Sequence, residues 1–189
     1  TGAALGLGGT TARLAVDAAE LSAGQMVLIA GATGGVGSLA IQLATQAGAR
    51  VIATAHGTEA NRLVTELGAA EVVDYTQDVA TQVRAAHPDG IDAVLHFAGD
   101  PGAVLPLVRA GGRLASTLIM SPDQIPSDTV TVKAIYAVPA AEVLSGLADA
   151  VEDGRLTVPV QRKYPLEDVP AALGDFATGA LGKLVITVR

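Results

Sequence analysis

The run MVLIAGATGGVGSLAIQLATQAG, residues 26–48, constrains the fold more than any other part of the chain. Residues 26–30 are apolar and long enough for a buried strand. Gly31-Ala32-Thr33-Gly34-Gly35-Val36-Gly37 follows, and the period then changes. Val36, Ala40, Leu43, Ala44 and Ala47 fall on one helical face, while Ser38, Gln42, Thr45 and Gln46 fall on the other. Gly48 is placed to cap the end of that helix. The stretch predicts strand, glycine turn and helix in succession.

Such a turn suits a diphosphate. Gly34 lets the backbone approach a ligand closely, and Gly37 lets the helix pack tightly on the strand. The helix N-terminus offers unpaired N–H groups and a partial positive charge. The G-x-G-x-x-G spacing is present with Ala32 in place of its first glycine. Glycine-rich turns also occur as plain tight turns, but a strand before and a helix after favour a dinucleotide site. Ala32, Thr33, Gly34, Gly35, Val36 and Gly37 are therefore candidate cofactor contacts.

The rest of the chain repeats the rhythm. Strands are expected near residues 50–55, 71–74, 91–97, 113–119 and 129–136. Helices are expected at 58–68, 77–86 and 102–110, the last bent by Pro106. Alternation at this spacing indicates βαβ units with right-handed crossovers. The expected fold is α/β: a Rossmann-type, doubly wound parallel sheet of about six strands, helices on both faces, with the first strand central and the ligand at the strand C-termini. Ahead of it, Thr10 is a candidate cap for a helix to Glu20, while residues 1–9 are glycine-rich without a clear period. Pro139 is expected to open a helix ending at Asp153. Residues 157–164 read as extended, 169–178 as a helix and 182–188 as a final strand. Residues 1–156 thus form the nucleotide-binding unit, and 157–189 a small C-terminal appendage or part of a second domain. The 129–136 strand lies at the sheet edge, where pairing with a second copy would give a homodimer.

With 189 residues, half of them hydrophobic, the chain can build a sizeable core. Aromatics are only 3%, so Ala, Val, Leu and Ile must fill it. The net charge of −7 argues against nucleic acid or an anionic membrane as partner. There is no cysteine, which removes disulfides, thiol nucleophiles and thiolate metal sites. His56, His87 and His96 lack metal-ligand spacing, so no protein-held metal is expected. No apolar run approaches a membrane span, and a soluble cytoplasmic protein is expected.

In NAD-binding versions of this architecture, an acidic residue about 20 positions beyond the turn holds the adenine ribose. Here that place reads Thr54-Ala55-His56-Gly57-Thr58, with no carboxylate before Glu59. The gap leaves room for a ribose phosphate and favours NADP(H). Arg62 is the candidate cation, helped by Thr54, His56 and Asn61. Arg62 reads equally well as a surface charge, and His56 as a solvated loop histidine. Tyr75, after the third strand, is placed to cover the adenosine half. Phe97, Ala98 and Gly99 after the fourth strand, and Ile119 closing the fifth, are placed at the nicotinamide end. His96 fits a buried, satisfied histidine as readily as a ligand contact.

Residues 21–37 (LSAGQMVLIAGATGGVG) resemble the cofactor segment of the medium-chain dehydrogenase/reductase superfamily. RVIATA at 50–55, LGA at 67–69, VVDY at 72–75, GGRL at 111–114, YPLEDV at 164–169 and GKLVI at 182–186 are similar to its zinc-independent quinone oxidoreductase and enoyl reductase branch in order and spacing. The resemblance implies NADPH-dependent reductases, often dimers, that pass hydride to a quinone or an α,β-unsaturated carbonyl. It matches Gly34, Gly35, Val36 and Gly37 to the pyrophosphate turn and Tyr75 to a tyrosine near the 2′-phosphate. Phe97, Ala98 and Gly99 match its nicotinamide-side loop. Asn61 stands where such proteins often have lysine, a departure that counts against NADP. The resemblance also implies a preceding GroES-like domain of roughly a hundred residues, holding most of the substrate pocket and any proton donor. Thr1 falls after it, the tail would rejoin it, and no catalytic residue is assigned here.

Two other readings are weighed. Short-chain dehydrogenases need Tyr-x-x-x-Lys to lower the tyrosine pKa. Tyr75, Tyr136 and Tyr164 are followed four residues on by Val79, Ala140 and Asp168, which disfavours that class. A module that binds NADP(H) without turnover is the second.

Overall fold

The computed structural model describes residues 2–138 and 140–188. Its elements run α1 (Gly2–Ala19), β1 (Met26–Ala30), α2 (Gly37–Gln46), β2 (Arg50–Ala55), α3 (Thr58–Glu66), β3 (Glu71–Asp74), α4 (Val79–Ala86), β4 (Ile91–His96), α5 (Pro101–Val104), β5 (Val108–Ser116), β6 (Thr131–Ala134), α6 (Ala141–Glu152), β7 (Val160–Pro165), α7 (Val169–Ala177) and β8 (Lys183–Thr187). Six strands form one sheet in the order β3-β2-β1-β4-β5-β6, and every pair in it is parallel. This is the doubly wound sheet expected, with β1 central.

Alternate side chains build two cores. Val27, Ile29, Val51, Ala53, Ala93 and Leu95 point to one face, under α1, α2, α3 and α6. Leu28, Ile52, Val94 and Leu114 point to the other, under α4 and α5. A sheet buried on both faces needs strands apolar at consecutive positions, which is how β1 and β4 read. Among the described residues, no helix is long and apolar enough to cross a membrane.

Two expectations are corrected. First, α1 begins at Gly2, not near Thr10. Each glycine in a helix costs about 1 kcal/mol relative to alanine, so residues 1–9 gave no helical signal. The structure supplies the compensation: a Cβ on Gly8 would stand 2.9 Å from the Gly35 carbonyl oxygen, and one on Gly9 would stand 3.0 Å from Leu147. Close packing selects small residues there.

Second, α5 ends at Val104, a single 3-10 turn spans Leu105–Leu107, and β5 already begins at Val108. The register of β5 against β4 shifts between Ile91 and Ala93. Gly111, at φ +80°, absorbs that irregularity inside the strand, where the sequence suggested a turn before it. β5 ends at Ser116, so Ile119 lies beyond it.

The polar face of α2 divides: Thr45 and Gln46 are exposed, and its other half is covered. Ser38 and Gln42 are buried beneath α1 and the C-terminal segment. The Gln42 carboxamide accepts from the Thr157 N–H at 2.7 Å and donates to the Thr157 carbonyl at 2.8 Å. A polar side chain that satisfies a crossing backbone is the usual solution for such a buried group.

The helix start expected at Pro139 lies outside the described residues. β7 and β8 form a separate parallel pair, and Gly182 bridges to Gly34 in the glycine turn.

Candidate functional site

The turn after β1 is shaped by Gly31, which sits at φ +83°, a conformation open mainly to glycine. Gly31, not residue 32, makes the sharp bend, so Ala32 is accommodated in the core without exposure. A Cβ on Gly37 would collide with the Gly31 carbonyl oxygen and stand 2.6 Å from the Ala32 Cα. Gly37 is therefore the helix-to-strand packing glycine. A Cβ on Gly34 would meet only the Gly31 oxygen, at 3.5 Å, so space is open beside it. Among the described residues, the N–H groups of Val36 and Gly37 take no backbone acceptor. These are the unpaired donors at a helix start that bind anions.

Lys183, the first residue of β8, lies over this turn. The Gly182 N–H donates to the Thr33 carbonyl at 2.7 Å and fixes the strand there. The Lys183 Nζ stands 2.8 Å from where a Cβ on Gly35 would be and 2.7 Å from one on Gly8. Burial alone lowers its pKa from the ordinary lysine value, with no carboxylate pulling it back. The sequence reading placed Lys183 in a final strand and gave it no role. Its contact with the turn is long-range and carries no local signal.

A cleft of about 480 Å³ opens at the C-terminal ends of β1, β2, β3 and β4. Its wall takes Ala30, Gly31 and Thr33 from the turn, Thr54 from β2, Tyr75 after β3, and Ala98 and Gly99 after β4. The starts of α4 and α5 complete it with Gln77, Asp78, Val79, Ala80, Asp100, Ala103 and Val104. Those helix-start residues were missed by the sequence reading, although Asp78 followed by Thr81 is a capping signal. Asp78 accepts from the Thr81 N–H at 3.0 Å and Asp100 from the Gly102 N–H at 2.9 Å. The Thr81 backbone, then its hydroxyl, lowers the Asp78 pKa. Thr54 is largely a structural group: its hydroxyl accepts from the Gly31 N–H at 3.0 Å and lies 3.3 Å from the Ile29 carbonyl.

His56 stands on the rim. Its Nδ1 lies 3.0 Å from the nearer carboxylate oxygen of Asp74, and its ring is edge-on to Tyr75 at 6.0 Å. Asp74 also accepts from the Thr76 N–H at 2.8 Å and the Thr76 hydroxyl at 2.7 Å. The Thr76 backbone is the largest of the effects that lower the Asp74 pKa, ahead of the Thr76 hydroxyl and His56. The acid absent from the end of β2 is thus supplied across the sheet, because Ala55 pairs with Asp74 in register.

Other expected contacts lie elsewhere. Arg62 is beside Glu66 at 3.8 Å and borders a separate depression with Glu59, Pro159 and Leu181, because its turn of α3 faces the C-terminal segment. Asn61 is exposed on α3 and outside the cleft wall. Phe97 packs against the core, as does the side chain of Val36, whose N–H stays at the turn, and Ile119 is buried. His96 is fully buried: Nδ1 meets the Ser116 hydroxyl at 2.9 Å, and Nε2 has no partner. Burial lowers its pKa, while the Gly99 backbone and Asp100 pull it back.

Comparison with known proteins gives a consistent result. A family model described as zinc-binding dehydrogenase matches residues 35–139. The quinone oxidoreductase of Lama guanicoe is 31% identical over 205 residues, spanning 100% of this chain and 62% of the relative. The solved quinone oxidoreductase from Coxiella burnetii superposes with a TM-score of 0.90 at 28% identity, over 99% of this chain and 60% of that one. A mycobacterial structure solved as a complex with NADPH gives a TM-score of 0.79 at 28% identity, over 96% of this chain and 62% of that one. The chain thus spans about three fifths of the length of each of these proteins.

Proposed function

The chain belongs to the zinc-binding dehydrogenase family of the medium-chain dehydrogenase/reductase superfamily, and from that premise we propose that it is the cofactor-binding part of an NADP(H)-dependent oxidoreductase acting on a quinone or an α,β-unsaturated carbonyl. One observation carries the reading. Two unpaired N–H groups, those of Val36 and Gly37, and a half-buried lysine converge on the glycine turn at the end of the central strand. That arrangement fits a diphosphate, and the apolar cleft beside it fits an adenosine.

Gly35, Val36 and Gly37 would hold the diphosphate with Lys183. Tyr75, Val79, Ala80 and Val104 would enclose the adenine, with His56 and Asp74 at the ribose. Ala98 and Gly99 lead toward the nicotinamide. The bound nicotinamide supplies the hydride chemistry, and the protein positions it. The relatives' quinone oxidoreductase names, and the NADPH in the mycobacterial complex, support this assignment. The family's name includes zinc, but the donor set here does not fit it. The chain has no cysteine, and no cluster of three candidate ligands occurs among the described residues. We also propose that two copies associate through the β6 edge.

Titration with NADPH and NADH, followed by nicotinamide fluorescence, tests the binding. The expected result is saturable binding with NADPH the tighter; equal affinity or tighter NADH overturns the NADP preference. Consumption of NADPH with a soluble quinone or an enone then tests turnover. Binding without reduction of either would favour a sensing module.

A further inference from the structure

The chain contains three lysines, Lys133, Lys163 and Lys183, and their surroundings differ. Lys163 is exposed on β7. Lys133 is drawn toward the Glu20 carboxylate at 3.8 Å. Lys183 lies over the glycine turn, its outer carbons and Nζ 2.5–2.8 Å from where a Cβ on Gly35 would stand. Its backbone is pinned on both sides. The Gly182 N–H donates to the Thr33 carbonyl at 2.7 Å, and the Lys183 N–H donates to the Pro159 carbonyl at 2.9 Å. The side chain is therefore presented at one place.

That place joins a nucleophile to an anion cradle. The N–H groups of Val36 and Gly37 are unpaired at the start of α2 and attract a phosphate. Burial favours the uncharged amine at Lys183, and no carboxylate opposes it. An uncharged amine attacks carbonyl carbons, whereas an ammonium does not. A phosphate that carries an acyl group would bring its carbonyl to this amine. We propose that Lys183 is a site of acylation by small acyl phosphates, which dock their phosphate on the glycine turn and pass the acyl group to Nζ, and that the modification closes the dinucleotide site. This rests on the turn being the diphosphate site.

The step balances without an oxidant or reductant. The Nζ lone pair forms a C–N bond to the carbonyl carbon. The bond from that carbon to the bridging oxygen breaks, and inorganic phosphate leaves with its electron pair. The amine gives one proton to the departing phosphate or to water. The product is an amide, so the positive charge that a diphosphate would meet is gone. Space adds to the effect. Gly8 and Gly35 crowd one side, since a Cβ on either would stand within 2.9 Å of Lys183 atoms. Beside Gly34 the space is open, and an acyl group turned that way would occupy the volume the diphosphate needs.

The test treats the unmodified chain with acetyl phosphate and reads acetylation at each lysine by peptide mass spectrometry. Lys183 should react about tenfold faster than Lys133 or Lys163, the scale of one charge-assisted hydrogen bond to the docked phosphate. Saturating ADP should remove that advantage and leave the other two lysines unchanged. With p-nitrophenyl acetate, which has no phosphate, most of the preference for Lys183 should disappear. Calorimetric titration with ADP then reads the consequence. The acetylated chain should bind ADP roughly tenfold more weakly or worse. The same treatment should leave the ADP affinity of Lys183→Gln unchanged, because that variant lacks the amine. Labelling of Lys183 no faster than Lys163, or equal selectivity with p-nitrophenyl acetate, overturns the proposal and leaves the diphosphate site intact. An acetylated chain that binds ADP as before overturns the closure. Failure of ADP to bind the untreated chain overturns the diphosphate site and the proposal with it.

Discussion

Lys183 concentrates the charge of the glycine turn in one side chain. Its ammonium is squeezed between Gly8 and Gly35, and burial lowers its pKa from 10.5 with no carboxylate to offset it. In the empty protein the unfolded chain therefore holds this proton to higher pH than the folded one. Stability gains from the group as pH rises toward 10.5, and loses as pH falls through the lowered value. A diphosphate reverses the balance by supplying the missing negative charge. Nucleotide affinity should accordingly weaken on the alkaline side, as the ammonium loses its proton earlier than a solvated lysine would. Lys183→Gln should weaken NADPH, NADH and ADP alike by roughly tenfold or more, the scale of a charged hydrogen bond, and remove that alkaline dependence. Calorimetry across pH reads both effects; unchanged affinity in the variant would show that the ammonium does not meet the ligand. His56 and Lys183 mark the limits of reading single residues from sequence. His56 stood out because it occupies a fixed interval after a motif. Lys183 did not, because 146 residues of chain separate it from Gly37 and only the docking of β8 joins them.

Within the strand–turn–helix element, two glycines with the same sequence signature have different physical roles. At Gly37 a methyl group would strike the backbone of Gly31 and Ala32, and neither can rotate away. At Gly34 it would enter open space at ordinary contact distance from one oxygen. Gly37→Ala should therefore lower the free energy of unfolding by roughly 1–3 kcal/mol or more, the range for overpacking, measured by the urea midpoint. Gly34→Ala should leave that midpoint within about 0.5 kcal/mol and instead weaken dinucleotide binding, because the open space is where the diphosphate would lie. Loss of stability in both variants, with binding retained in neither, would deny the division. Elements of this kind were legible because period and punctuation agree, as they do for β1, α2, β2 and β4. α1 was hidden because its packing surface is built from Gly8, Gly9, Ala12 and Ala15, which carry almost no amphipathic contrast. Periodicity reports polarity alone, and it does not separate exposed Thr45 and Gln46 from Gln42, which is polar in order to meet a buried backbone.

At the scale of the molecule, the sheet leaves two edges, β3 and β6, and they are protected differently. The β3 edge is charged: Glu71 meets His87 at 2.8 Å and Arg50 at 3.6 Å. Charges of this kind discourage strand pairing. β6 carries only Lys133, drawn toward Glu20 at 3.8 Å. The Ile135 N–H points to Ser116 in β5, so Val132 and Ala134 turn their backbone groups outward. Around that edge Leu118, Met120, Tyr136 and Val138 are exposed, Met120 by 73% and Val138 by 71%. The Tyr136 hydroxyl donates to the Met120 carbonyl and ties the two segments into one patch. In the proposed pair, an edge running antiparallel to its own copy would complete both strands' hydrogen bonds and cover this patch at once, joining two sheets of six strands. Light scattering at micromolar concentration should therefore give twice the mass of one chain. Introducing Met120→Glu together with Val138→Glu places like charges across the twofold axis and should return the mass to that of one chain. Because neither residue lines the cleft, nucleotide affinity should be unchanged in the variant. A single-chain mass before substitution, or a double mass that survives it, would place the association elsewhere or deny it.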